Sequence, residues 1–361
     1  MTALPFALHK LMTRAELAGL IDGAGPPGPL SPRTLLDAPK QLGPPATGSL
    51  GDAANVLRDP HSRITLRIWG GEEASAETTV LFPADPAAGG GYLLNDVEGN
   101  FDVSGPVDAE QILALVAPLL PPSAQDIPFV AELEPTTMAV LAAVIDIARD
   151  DVRQDRIARV LDGRRMPDSL LADLHPLAPA RLAAHLDAWW VLSRFDQLLT
   201  YAVALGGKPK PPQQSAVATA LLQLSEARLI AIDDKLHVTP TSELARLVEA
   251  AFGLCAGFQW QRVATLGDGS ILIVERIVLP CAGGRILDLS VTPEGLVRLA
   301  LAGREEVTAF LIGELTSSPA AAPPTTAAPR GAVQARRFCG HCGHPVAAAD
   351  RFCGACGGEL T

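Results

Sequence analysis

Two C-x-x-C pairs close the chain, and no other feature restricts its folding as tightly. Cys339 and Cys342 form the first pair and Cys353 and Cys356 the second, each inside the near-repeat Arg-Phe-Cys-Gly-x-Cys-Gly. Two residues between cysteines let the backbone turn sharply enough to aim both sulfurs at one point. Two such knuckles supply four thiolates to a single tetrahedral Zn²⁺, at Zn–S distances of about 2.3 Å. Four sulfurs fill the coordination sphere and leave no position for a reactive water, so the metal is structural. His341 and His344 are read as solvated residues around the site rather than ligands. Paired disulfides would need an oxidising compartment, and residues near Met1 show no signal-peptide pattern. A redox C-x-x-C is expected beside a βαβ unit, and iron–sulfur clusters usually use a different cysteine spacing.

With these residues in view, the tail, residues 336–361, resembles the short zinc-ribbon domains found at protein termini. The resemblance covers the tail alone. Phe338 and Phe352 stand at equivalent points of its repeat, with Arg336, Arg337 and Arg351 beside them. Residues 316–335, rich in Pro, Ala and Thr, lack the apolar content to pack and read as a disordered linker.

The body is a different kind of chain. The whole chain's 361 residues allow two or three domains, and its 48% hydrophobic content is enough for real cores. A net charge of −11 disfavours nonspecific attraction to nucleic acid or anionic membrane. No apolar run reaches the length of a membrane span, so a cytoplasmic protein is expected. Cys255 and Cys281, the two cysteines outside the ribbon, are read as core residues.

Periodicity divides the body into alternating helical and β segments. Residues 8–21 read as a helix, with shorter helical patterns at 34–42 and 50–57. Alternation at 63–69, 78–82, 91–97 and 100–103 predicts four strands, closed by a helix at 107–120. The middle is helical, at 135–150, 151–161 and one long stretch at 178–205. Within that stretch His185, Trp189, Leu192 and Asp196 fall on one face, read as a packed interface with a polar rim.

A helix at 213–226, a hairpin turning at Asp233 and Asp234, and a helix at 241–252 resemble the end of a winged-helix module. Thr239 and Pro240 are taken as the start of that last helix. Its presumed recognition helix offers one arginine and no lysine, which suits protein docking better than DNA reading. Strands at 258–266, 270–279, 284–291 and 296–300, then a helix at 304–315, repeat the order of the first β run.

The expected fold is therefore α+β, with two similar antiparallel-sheet-plus-helix units. The first covers residues 1–133, and a separate helical connector, 134–206, follows it. Residues 207–315 hold the winged-helix-like element and the second unit, followed by the linker at 316–335 and the ribbon at 336–361. In this two-lobed layout the body is similar to the type VII secretion chaperones, which hold export substrates.

The sequence has no Walker A loop, no H-E-x-x-H, no G-x-S-x-G, and no G-x-G-x-x-G opening a helix after a strand. The acidic pairs Glu72/Glu73, Asp150/Asp151 and Asp233/Asp234 are expected at turns or helix ends. The favoured expectation is a non-enzymatic adaptor or chaperone with a protein partner and one Zn²⁺. The alternative is a winged-helix, zinc-ribbon regulator that contacts nucleic acid through Arg336, Arg337 and Arg351.

Overall fold

A computed structural model of the chain describes residues 7–36, 49–70, 73–83, 90–122, 129–167, 169–189, 196–206, 214–235, 237–252, 254, 256–267, 269–316, 336–338 and 345–346. Strand β1 (Leu8–Thr13) leads into helix α1 (Arg14–Gly23), and α2 (Ser49–Arg58) follows. Strands β2 (Ser62–Gly70), β3 (Glu73–Phe82), β4 (Gly91–Val97) and β5 (Asn100–Val107) end in α3 (Ala109–Val116). After β6 (Phe129–Leu133) come α4 (Pro135–Leu161), α5 (Pro179–Trp189), α6 (Leu198–Gly206) and α7 (Gln214–Glu226). The hairpin β7 (Ala231–Ile232) and β8 (Val238–Thr239) precedes α8 (Ser242–Ala251). Strands β9 (Ala256–Thr265), β10 (Ile271–Pro280), β11 (Ile286–Val291) and β12 (Val297–Ala302) run to α9 (Arg304–Thr316). Two short strands, β13 (Arg336–Phe338) and β14 (Pro345–Val346), come last.

The chain forms two compact units. The first comprises Met1–Pro118, Phe258–Arg276 and Val307–Thr361, and the second Leu119–Gly257 and Ile277–Glu306. In the first unit the strands lie in the order β1-β5-β4-β3-β2-β9, followed by the opening residues of β10. The alternation predicted for β2 is present, with Ser62, Ile64 and Leu66 buried. Helices α1 and α2 pack Leu17, Ile21, Ala53 and Leu57 against Met12, Leu81, Leu94 and Val103 of the sheet. At about 25 cal/mol per Å² of apolar surface removed from water, this contact stabilises the unit. Buried Arg262 donates to the Glu314 backbone carbonyl, and burial pushes the Glu314 carboxyl up.

In the second unit β11 and β12 are antiparallel, and β6 adds to β12 from Val297↔Leu133 to Leu301↔Phe129. Helix α4 is the axis of this unit, touching α5, α6, α7 and α8.

Several expectations are corrected. Residues 8–13 are a strand rather than the first half of a helix, because Leu8–Thr13 pairs antiparallel with β5. The helix begins only at Arg14. Thr13 caps it by accepting the Glu16 amide at 3.2 Å, while the Glu16 carboxylate accepts the Thr13 amide at 2.8 Å. The two helices expected at 135–150 and 151–161 are one, so Asp150 and Asp151 lie inside α4 and not at an end. Neither Gly nor Pro interrupts the segment, and Asp150 and Asp151 reach Arg149 and Arg181. The long helix at 178–205 is broken, with Asp196 and Gln197 outside α6. The His185-to-Asp196 stripe is therefore not one helical face. β6 was not foreseen. Helix α8 is capped by Thr241, whose hydroxyl accepts the Leu244 amide at 3.1 Å, while Thr239 belongs to β8.

The remaining β segments lie within a few residues of their expected places, as do α7 and its hairpin. At that turn the Asp233 carboxylate accepts the Lys235 and His237 amides at 2.8 and 2.9 Å. These bonds, the His237 amide first, hold it below the usual carboxylate range. Glu72, Cys255 and most of the linker, 317–335, lie outside the described residues.

Candidate functional site

Helix α4 changes character along its length. From Met138 to Val152 its apolar side chains are buried, Met138, Leu141 and Ile145 completely. Two charged residues share that interior. Asp146 and Arg149 are both fully buried and stand 3.6 Å apart. The Asp146 carboxylate accepts the Leu198 and Leu199 amides at 2.8 and 2.9 Å, and so caps the start of α6 from another helix. Arg149 donates to the backbone carbonyls of Asp196 and, at 3.5 Å, Ala251. Burial pushes the Asp146 carboxyl up to about 7, against the opposing pull of Arg149 and the two amides. This cluster ties α4, α6 and α8 together and is structural in form.

The last turns of α4 are built differently. One side remains anchored: Arg156 pairs with buried Asp173 at 3.0 Å and lies over the Phe252 ring, and His175 reaches Asp155 at 2.8 Å. The other side faces solvent. Ile157, Val160 and Leu161 are 55%, 64% and 81% exposed, and Arg153, Ile157 and Leu161 form one i, i+4, i+8 row. The helix stops in a Schellman turn: Gly163 adopts φ +64°, its amide reaches Val160 O at 3.2 Å, and the Arg164 amide reaches Arg159 O at 2.8 Å. An apolar residue after that turn often folds back over the last helical turn. Here that place is taken by Arg164, and Val160 and Leu161 are exposed. Met166 and Leu171, on the segment that follows, are exposed as well.

Five arginines (153, 156, 159, 164 and 165) fall within 153–165 against two aspartates, in a chain whose net charge is −11. Part of this suits the helix itself, since cations near a C-terminus offset its partial negative charge. Arg164 is also 2.8 Å from Asp162.

A cleft beside α4 is lined by Val144, Ile147, Asp151, His175 and Val238, among others. Its imidazole and carboxylate are spoken for, His175 by Asp155 and Asp151 by Arg181 at 2.6 Å. Helix α7, the presumed recognition helix, carries no Lys or Arg, and Arg228 lies beyond its end. Cys281 is buried, as expected of a core cysteine.

The four expected zinc ligands, Cys339, Cys342, Cys353 and Cys356, lie outside the described residues, as do His341, His344, Arg351 and Phe352. Their flanks are described. β13 pairs antiparallel with β10 from Ile271↔Phe338 to Ile273↔Arg336, and with β14 through Arg337↔Val346 and Phe338↔Pro345. The sequence gives no signal for this pairing. Three residues of backbone register leave no trace in side-chain pattern. Among the described residues, no helix is long and apolar enough to cross a membrane.

No family model matches the chain, and no curated protein matches it. Among solved structures it is similar to the Mycobacterium tuberculosis type VII secretion system chaperone EspG5, in a complex with the PE25–PPE41 dimer. The TM-score is 0.38 at 10% identity, covering 84% of this chain and 95% of that one.

Proposed function

We propose that this protein is a non-enzymatic, protein-binding adaptor or chaperone whose C-terminal cysteines, 339, 342, 353 and 356, hold one structural Zn²⁺. One observation carries the binding role: Ile157, Val160 and Leu161 are held in solvent on a helix whose other half is buried. Large aliphatic side chains gathered on one rigid surface are the mark of a protein contact. The zinc reading is supported by the paired knuckles and by β13 and β14, whose connecting chain carries Cys339 and Cys342. Zn²⁺ bound there would fix the fold of a segment too short to build a core of its own.

The test is purification from the native cell with nuclease present, comparing the natural chain with Leu161→Glu. A protein retained by the first and lost from the second is expected. Retention that nuclease abolishes would favour the nucleic-acid alternative. Metal analysis should find one zinc per chain, lost in Cys342→Ser, and finding none would remove the zinc from this account.

A further inference from the structure

We propose that the C-terminal ribbon is a latch on the sheet of the first unit: with Zn²⁺ bound, β13 closes the edge of β10 at Ile271–Ile273, and without the metal that edge opens. This rests on the zinc reading proposed above and adds what the metal controls. Strand β10 has β9 on one edge. At the turn between them the Leu266 amide donates to the Ser270 carbonyl at 2.8 Å, so the Ser270 backbone points toward β9. Backbone groups in an antiparallel ladder alternate between the two edges, which turns those of Ile271 and Ile273 to the opposite side. There β13 sets Phe338 opposite Ile271 and Arg336 opposite Ile273. These two are then the hydrogen-bonded pairs, and Arg337 between them turns its own amide and carbonyl to β14. The second register agrees: Arg337 faces Val346, while Pro345, which has no amide to give, faces Phe338 in the non-bonded place.

An uncovered edge offers unpaired amides and carbonyls, and here the cover, Arg336–Phe338, is only 3 residues long. A hairpin as short as β13 and β14 does not hold itself extended in water. The segment joining its strands, residues 339–344, supplies what it lacks, because it carries Cys339 and Cys342. The pairing of Phe338 with Pro345 brings the two ends of that segment opposite each other, the closure that a C-x-x-C knuckle on one ion needs. Phe338, the residue that meets Ile271, is next in the chain to Cys339. Thiolates held at one point therefore keep β13 in register. By linkage, docking on β10 raises zinc affinity by the same factor by which zinc raises docking.

The experiment is hydrogen exchange on the full chain, read by mass spectrometry, with zinc content measured on the same samples. Chelation, or Cys342→Ser, is expected to speed exchange at Ile271 and Ile273 at least tenfold. Exchange at Ile286–Val291, which pair with β12, should not change. Arg336→Pro removes the amide that faces Ile273 and lies outside the β13–β14 register. It should open the same edge and, in competition with a chromophoric chelator, lower zinc affinity at least threefold. Arg336→Ala keeps the amide and should resemble the natural chain in both readings. Zinc that is present and then removed with no change at Ile271 and Ile273 overturns the latch and leaves the zinc reading standing. So does Arg336→Pro with natural exchange and natural zinc affinity, or faster exchange that spreads equally to Ile286–Val291. A chain that holds no zinc removes the zinc reading and the latch together, and leaves the adaptor role untouched.

Discussion

The two parts of α4 both carry aliphatic side chains, and these meet opposite fates. Between Met138 and Val152 the helix is enclosed by α5, α6, α7 and α8, and even its charged pair, Asp146 and Arg149, is buried. From Arg153 onward only one side is held, by Arg156 and Asp155, and Ile157, Val160 and Leu161 meet water. The first half stabilises the second unit. The second half costs that unit the burial of three aliphatic side chains, about 1.5–3 kcal/mol each had they been covered.

The comparison breaks most visibly in the buried half. Leu141→Ala should destabilise the second unit by about 2–5 kcal/mol in denaturant titration, because a fully buried Leu leaves a cavity. A loss under about 1 kcal/mol would mean that this half is not the packed anchor described.

A subtler contrast lies in pH. The Asp146 carboxyl is raised from an ordinary 3.8 to about 7, chiefly by burial, so the folded protein keeps a proton that the unfolded chain has already released. The stability this group contributes is fully present below about 3.8 and is lost as pH rises through about 7. Asp146→Asn removes the titration, so the difference in stability between variant and natural chain should change across that window, and the natural chain should lose more as pH rises. A difference flat with pH would place Asp146 in a more solvated setting. No such slope is expected from Leu161→Glu, whose side chain is solvated in both states.

The smallest effect sharpens the other side. Leu161→Ala removes a side chain that is 81% exposed and should move stability by no more than about 0.5 kcal/mol. A fall of 2 kcal/mol or more would show Leu161 to be covered within the protein.

Local chemistry alone decided part of this molecule. The strands at Ser62–Gly70 and Gly91–Val97 follow from side-chain pattern and flanking turns, and the turn at Asp233 from a carboxylate that bonds amides two and four residues on. Each is set by residues near one another in the sequence. Only tertiary structure decided the rest. Leu8–Thr13 is a strand because β5 lies beside it, and the chain turns at Asp196 before a helix that a carboxylate from α4 caps across the interior. Val140 and Val160, alike in chemistry and on one helix, end up buried and exposed because one has neighbours packed around it. Hydrophobicity specifies that a side chain gains by burial, but which chain segments arrive to bury it depends on contacts far apart in sequence.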